Sequence, residues 1–354
     1  MGKLGIAASQ VRLFVTDIDG TLLSSDHKLS ERNIRVIRSF IKNHPDVPLI
    51  LATGKSFPAS LEICQAIPEL LGTGIFVQCN GGYVLTTRAD AHSTPLARPL
   101  VGNVPSSLAS LRVLHQTMVP PLEAMYFLHH AYVNRVSPVI YSGSDLFSFQ
   151  APAETHPNHE SLLGITVRYH EPAVLKLGYD DLIERVLTGD IVVNKIVYVA
   201  TVETLSGIVA ALEAIGETAV PEPIQRNPRY RLHLSRYVAA GHPESGPIRL
   251  SPLQPVQLVQ TTSETIEIIP RGSSKGRALE IICGKDHLDI PLDSVVAMGD
   301  AMNDVEMFKT VGFGIAVQNA SEPVKAAAAL VCEWSNDQDA VASCIEDIFG
   351  PHST

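Results

Sequence analysis

Short apolar runs that stop abruptly at polar turns recur near both ends of this 354-residue chain. The first is 11–16 (VRLFVT), and a run that is apolar on both faces is what a buried parallel strand requires. Two more candidates follow at 49–52 and 75–77, and after a long interval two others at 294–298 and 313–317. Between them the spacing turns helical. Ser30 can cap a helix whose apolar face is Ile34, Ile37, Phe40 and Ile41, and the NHPDVP stretch at 43–48 ends it. Further helices are predicted over 277–282, with Ala278, Leu279 and Ile282 inward, and over 303–310. Strands alternating with helices predict an α/β fold with a doubly wound parallel sheet. In such a sheet the ligand lies outside the carboxyl ends of the strands.

The middle of the chain reads differently. A strand over 194–200 and an amphipathic helix over 202–215 are legible there, among Pro-rich stretches that read as loops. Sixteen of the 24 prolines fall between Pro95 and Pro255, nine of the 13 histidines lie between His92 and His242, and all five cysteines lie outside this region. Flanks that are alike around a different middle are the mark of an inserted domain. The expected organisation is a core from 1–83 and 262–354, interrupted by an α+β domain over 84–261.

Charge narrows the possible partners. With 37 acidic and 27 basic residues the formal charge is −10, which argues against a nucleic-acid or anionic-membrane surface. One focused site can still be positive. The five cysteines show no CxxC spacing, so neither a disulfide framework nor a zinc ribbon is expected, and a reducing compartment is the default. The first residues lack the apolar run of a signal peptide, and no segment has the ~18 consecutive apolar residues of a membrane span. The cytoplasm is the expected address. Oligomeric state is not legible.

Four strand ends carry candidate chemistry. After the first come Asp17, Ile18, Asp19 and Gly20: two carboxylates on one side of an extended chain, able to share a divalent cation, with a glycine for the sharp turn. One Asp can attack phosphorus and the other can move a proton to the leaving group and from water. After the second come Thr53, Gly54 and Lys55, a hydroxyl and free amides that can cradle phosphoryl oxygens. Lys275 opens a helix where the dipole favours anions, which makes sense if an anion sits between them. Gly299-Asp300-Ala301-Met302-Asn303-Asp304 crowds two acids and an amide into one turn: Asp300 placed to ligate a metal, Asn303 to bond phosphate, Asp304 to orient them. Taken singly, each has a bland alternative: two solvated acids, a helix cap, a surface lysine, a capping Asp or Asn. In order along one chain they supply a nucleophile, an acid/base, a cation site and phosphate anchors.

These stretches resemble the haloacid dehalogenase-like (HAD) hydrolases, and within them the Cof-type phosphatases with a type IIB cap. The resemblance rests on VTDIDGTLL at 15–23, LATGK at 51–55, CNGGYV at 79–84, IEIIPRGSSKGRAL at 266–279, GDAMNDVEMF at 299–308 and GFGIAVQNASEPVKAAA at 312–328. It implies that Asp17 forms an aspartyl-phosphate and Asp19 is the general acid/base. Magnesium would be held by Asp17, the backbone carbonyl of Asp19, and Asp300. Thr53, Gly54, Lys275 and Asn303 would bind the phosphoryl group, and Asp304 would support them. Lys55 departs from the family's usual Arg, and the cap region is longer than is common.

The function expected is magnesium-dependent hydrolysis of small phosphorylated metabolites such as sugar phosphates, nucleotides or phosphorylated cofactors. Two alternatives remain: a phosphomutase or phosphotransferase using the same intermediate, and a non-catalytic phosphate-binding regulator. His129-His130 and His156-x-x-His159 read as loop histidines rather than metal ligands. Arg226, Arg229, Arg231 and Arg236 read as a solvated basic stretch, and Trp334 as packing against the last core strand.

Overall fold

Strands buried on both faces must be apolar throughout, and the runs that meet this condition form the centre of the fold. A computed structural model describes residues 3–72, 74–87, 93–96, 108, 111–149, 164, 166–239, 248–262 and 264–351, without the side chains of 231–232, 236–239 and 260–262. Leu13–Thr16, Leu49–Leu51, Val295–Gly299, Phe313–Ala316 and Leu330–Val331 form one five-stranded sheet. All its pairings are parallel. Val295–Gly299 is the middle strand; Leu13–Thr16 lies on one side of it with Leu49–Leu51 at that edge, and Phe313–Ala316 and Leu330–Val331 step away on the other side. The direction of winding therefore reverses between Leu13–Thr16 and Val295–Gly299, and a ligand crevice opens at such a reversal.

Helices between the strands cover the sheet. Glu31–Asn43 starts where Ser30 Oγ accepts from the Asn33 amide at 3.0 Å, and it buries Val36, Ile37 and Phe40. Ala340–Phe349 packs beside it, with Val341, Cys344 and Ile345 in the same core. Asn33 is the polar link between them. Its Nδ2 donates to Leu22 O at 3.0 Å and its Oδ1 accepts from the Ala342 amide at 3.1 Å. The turn that follows the first strand is thus tied to both helices.

The chain divides into two compact units, Met1–Gln116 with Gly272–Thr354, and Thr117–Arg271. These limits lie later than the 84 and 261 expected from composition, and strand pairing explains both shifts. Tyr83–Thr86 pairs with Ile75–Gln78 on one side and Arg112–Gln116 on the other, so the first unit keeps a four-stranded antiparallel sheet beyond residue 84. At the other limit, Thr265–Pro270 pairs with Lys195–Val199 and so belongs to the sheet of the second unit.

That second sheet has six strands in the order Val256–Thr262, Thr265–Pro270, Lys195–Val199, Ser137–Ser142, Asp145–Phe149 and Leu175–Leu177. Its own core joins Ile196, Tyr198 and Ile268 to Phe127 and Leu128 of helix Pro121–Val133 and to Leu182 and Val186 of Tyr179–Thr188. The strand and helix expected over 194–200 and 202–215 are Lys195–Val199 and Val202–Glu213. Among the described residues no helix is long and apolar enough to cross a membrane.

Asn33→Ala would leave two buried backbone groups without a partner. A loss of about 2–4 kcal/mol in urea unfolding is expected; a loss within experimental error would contradict the linking role of this side chain.

Candidate active site

The parallel ladder fixes where the first acid falls. Thr16 sits level with Met298 on one side and Leu51 on the other, so Asp17 emerges between the ends of both neighbouring strands. Its amide donates to Met298 O at 2.9 Å. Gly20 then turns the chain with φ +76°, and a Cβ there would lie 2.3 Å from Asp300 Oδ2. Only glycine lets the two strand ends approach this closely. Thr21 Oγ1 donates to the other oxygen of Asp300, Oδ1, at 3.0 Å.

Lys275 comes from 258 residues away in sequence. Ser274 Oγ accepts from the Arg277 amide at 3.0 Å and starts the helix Lys275–Ile282. The lysine side chain is fully buried, and its Nζ donates to Asp17 Oδ1 and, at 2.7 Å, to Asp304 Oδ1. Asp304 Oδ2 accepts from the amides of Asp300 and Ala301, both at 3.0 Å. One carboxylate thereby orients both the ammonium and the turn that carries Asp300.

The electrostatics follow from this crowding. Burial disfavours the charged form of Lys275, but Asp17 and Asp304 outweigh it and hold its pKa above the usual lysine range. Burial pushes Asp17 well above the ordinary carboxylate range; Lys275 opposes the shift, and Asp304 and Asp300 add to it. Asp300 is pushed up to about 7, first by burial and then by Asp304, against the Thr21 hydrogen bond. Oxygens of Asp17, Asp300 and Asp304 lie within 4.8 Å of one another. Three carboxylates around one ammonium form an oxygen-only set able to hold a hard cation.

A second cluster borders the first. Cys79, Asn80 and Gly81 are consecutive left-handed residues, with φ of 51°, 55° and 86°. A Cβ on Gly81 would lie 2.1 Å from Ser274 O, so this loop rests against the start of the Lys275 helix. The loop is stitched to the Thr53 turn: the Asn80 amide donates to Thr53 O and the Cys79 amide to Lys55 O, both at 3.0 Å. Asn303 Nδ2 donates to Asn80 Oδ1 at 2.9 Å, and a Cβ on Gly54 would lie 2.9 Å from that same oxygen. Asn303 Oδ1 is buried and has no hydrogen-bond partner among the described residues. Asp19 meets Lys55 Nζ at 2.8 Å and His27 Nδ1 at 3.3 Å.

The first unit therefore brings Asp17, Asp19, Thr53, Gly54, Lys275, Asp300, Asn303 and Asp304 together. Thr21, Asn80, Lys55 and His27 join them without having been singled out as site residues. The CNGG run signals a left-handed turn for Asn80. Lys55 stands out only as a departure from Arg, and nothing in the local pattern marks His27.

Other features fall elsewhere. His129 and His130 lie on helix Pro121–Val133, a correction to the loop expected there. Pro120 and Pro121 start that helix, and Leu122, Met125 and Leu128 give it a buried face. His129 Nδ1 bonds the Tyr179 hydroxyl at 2.6 Å, and the His130 ring stacks on Tyr198. His156 and His159 lie outside the described residues. Arg226 pairs with Glu222, and Arg229 with Asp181 and Glu184; the side chains of Arg231 and Arg236 lie outside the described set. All five cysteines are buried free thiols. Trp334 packs half-buried against the core, with Lys3 Nζ over its ring.

Comparison with known proteins places this arrangement in a family. The model of the haloacid dehalogenase-like hydrolases matches residues 14–161 and 249–345, more than half of the chain. The chain belongs to this hydrolase family. It is 26% identical over 332 residues to a chloroplastic Arabidopsis thaliana protein named endoribonuclease YBEY, covering 93% of this chain and 45% of that one. It thus spans less than half the length of that relative. Over 95 residues, 26% of this chain and 32% of the relative, it is 38% identical to the Bacillus subtilis 5-amino-6-(5-phospho-D-ribitylamino)uracil phosphatase YwtE. The HAD subclass IIB sugar phosphatase BT4131 has the same fold, with a TM-score of 0.62, 15% identity, and coverage of 95% of this chain and 98% of that one.

Lys275→Met would strip the buried acids of their ammonium. In EDTA at pH 8 the variant is expected to lose about 3–5 kcal/mol of stability. Asp17 and Asp300 bind protons more tightly folded than unfolded, so stability falls as pH rises from the ordinary carboxylate range toward 7. The loss should accordingly shrink at pH 5, where the acids protonate instead of carrying unpaired charge. An equal loss at both pH values in urea melts would contradict the pairing.

Proposed function

We propose that this chain is a magnesium-dependent phosphatase of small phosphorylated metabolites, working through an aspartyl-phosphate on Asp17. The observation that carries the reading is the buried Lys275 ammonium shared by Asp17 and Asp304 at the strand-end crevice. The ammonium holds Oδ1 of Asp17 and fixes the orientation of its carboxylate.

The residues present fit a magnesium ion. The donors are all oxygens, and Asp17 and Asp300 each keep one oxygen that makes no hydrogen bond among the described residues. Burial holds both acids toward the protonated form, a penalty that a divalent cation would relieve. Asp17, Asp300 and the backbone carbonyl of Asp19 would hold the ion, with Asp304 orienting Asp300 through its amides. When bound, magnesium supplies the positive charge that lets a carboxylate approach an anionic phosphate ester.

In the first step an Asp17 oxygen attacks phosphorus in line, the bond from phosphorus to the leaving oxygen breaks, and Asp19 gives that oxygen its proton. Asp19, now a carboxylate, takes a proton from a water molecule whose oxygen attacks the same phosphorus. The bond to Asp17 breaks, inorganic phosphate leaves, and both acids return to their starting forms. Lys275, the hydroxyl of Thr53, the amides around Gly54 and the Asn303 amide would hold the phosphoryl oxygens; positioning and charge neutralisation supply most of the catalysis. The inserted unit, with its own sheet and core, is assigned the choice of substrate. Five buried free thiols support a cytoplasmic, reducing address.

Two results are expected. Hydrolysis of p-nitrophenyl phosphate should stop on chelation with EDTA and return with added magnesium. Asp17→Asn should lower kcat at least about a thousandfold. Turnover that survives in Asp17→Asn would remove the nucleophile assignment and the reading with it.

A further inference from the structure

We infer that Lys55 is a positioning residue for the general acid/base, Asp19. The inference rests on the phosphatase reading above and adds to it a device that fixes which oxygen of Asp19 moves the proton.

The geometry is specific. Lys55 Nζ lies 2.8 Å from Asp19 Oδ1, and His27 Nδ1 lies 3.3 Å from that same oxygen. Both nitrogens therefore engage Oδ1, and among the described residues Oδ2 is left for the substrate. Lys55 is 5% exposed, whereas the Asp19 side chain is 25% exposed, so the ammonium approaches the carboxylate from the protein side. A lysine this buried is uncommon unless it is paired. Its starting point is fixed as well. The Lys55 amide donates to Thr53 Oγ1 at 3.2 Å and its carbonyl accepts from the Cys79 amide at 3.0 Å. His27 reaches Asp19 from a turn closed by two backbone bonds, Ser24 N to Lys28 O and His27 N to Ser24 O, with His27 itself at φ +57°.

A partly exposed aspartate turns freely about its last torsion and presents either oxygen. Holding Oδ1 removes that freedom and aims Oδ2, which saves ordering at the moment of proton transfer. The ammonium also stabilises the carboxylate that forms as the proton leaves, a charge that develops in the transition state. The effect should appear where leaving-group departure needs a proton and fade where it does not.

Two aryl esters separate these cases. Phenolate is a basic leaving group and needs the proton; p-nitrophenolate departs without it. With the full chain and magnesium, Lys55→Met is expected to lower kcat/KM for phenyl phosphate by about 10- to 100-fold. The loss on p-nitrophenyl phosphate should be no more than about threefold. Asp19→Asn should show the same skew, the double variant should be no worse than Asp19→Asn alone, and Lys55→Arg should recover most of the activity. If Lys55→Met does not fold, as judged by thermal melting, Lys55→Gln carries the same comparison. Equal losses on the two esters, or a loss that adds to that of Asp19→Asn, would overturn the positioning role. Wild-type turnover that vanishes in Asp17→Asn would still uphold the phosphatase reading in that event. No hydrolysis of either ester by the wild-type chain would overturn both.

Discussion

The buried ammonium of Lys275 sets the terms for the rest of the site. Three carboxylates converge within 4.8 Å at the ends of two adjacent parallel strands, and without a cation the mutual repulsion of Asp17, Asp300 and Asp304 would open them. A single lysine, fully buried, holds Asp17 and Asp304 together. Asp304 in turn grips the amides of Asp300 and Ala301, so one ion triad shapes the loop as well as the charge. Burial first, and the neighbouring carboxylates second, keep Asp17 and Asp300 inclined toward protonation. A chain with net charge −10 can hold a phosphate ester only by concentrating cations at one place, and this crevice is built to do so.

The parallel sheet makes that concentration possible. Winding reverses between the first strand and Val295–Gly299, so the polar residues that follow each of them face the same opening. The close approach needs positions without a Cβ: Gly20 beside Asp300, and Gly81 beside Ser274. The chain leaves the first unit after Gln116 and returns at Gly272, just ahead of Lys275. A large insertion can then change without altering the spacing of the acids, because the register of the parallel strands, and not the intervening chain, sets where Asp17 and Asp300 fall.

Much of this was legible in the sequence, for a physical reason. The core strands are apolar on both faces and end at polar turns, so the runs near residues 13, 49, 295 and 313 could be found, and Asp17, Thr53 and Asp300 sit directly after the first three. The limits of the inserted unit were not legible, because they depend on which distant strand Tyr83–Thr86 and Thr265–Pro270 choose as partners. Composition records no such choice. His129 and His130 were read as loop residues because no metal-ligand partner at fixed spacing accompanies them, whereas Pro121 sits in the first turn of a helix that carries both. Among the site residues, His27 and Thr21 escaped notice and Lys55 was noted without its partner, because their roles come from side-chain contacts across turns, which leave no spacing in the sequence.

The central claim is that Asp17 carries the phosphoryl group in transit. Acid-quenching the enzyme during steady-state turnover of a phosphate ester, followed by peptide mass spectrometry, tests this directly. Phosphoryl label on the peptide containing Asp17, at Asp17 itself, is the expected result. Turnover with the label on another residue, or with no labelled enzyme at any quench time, would contradict it.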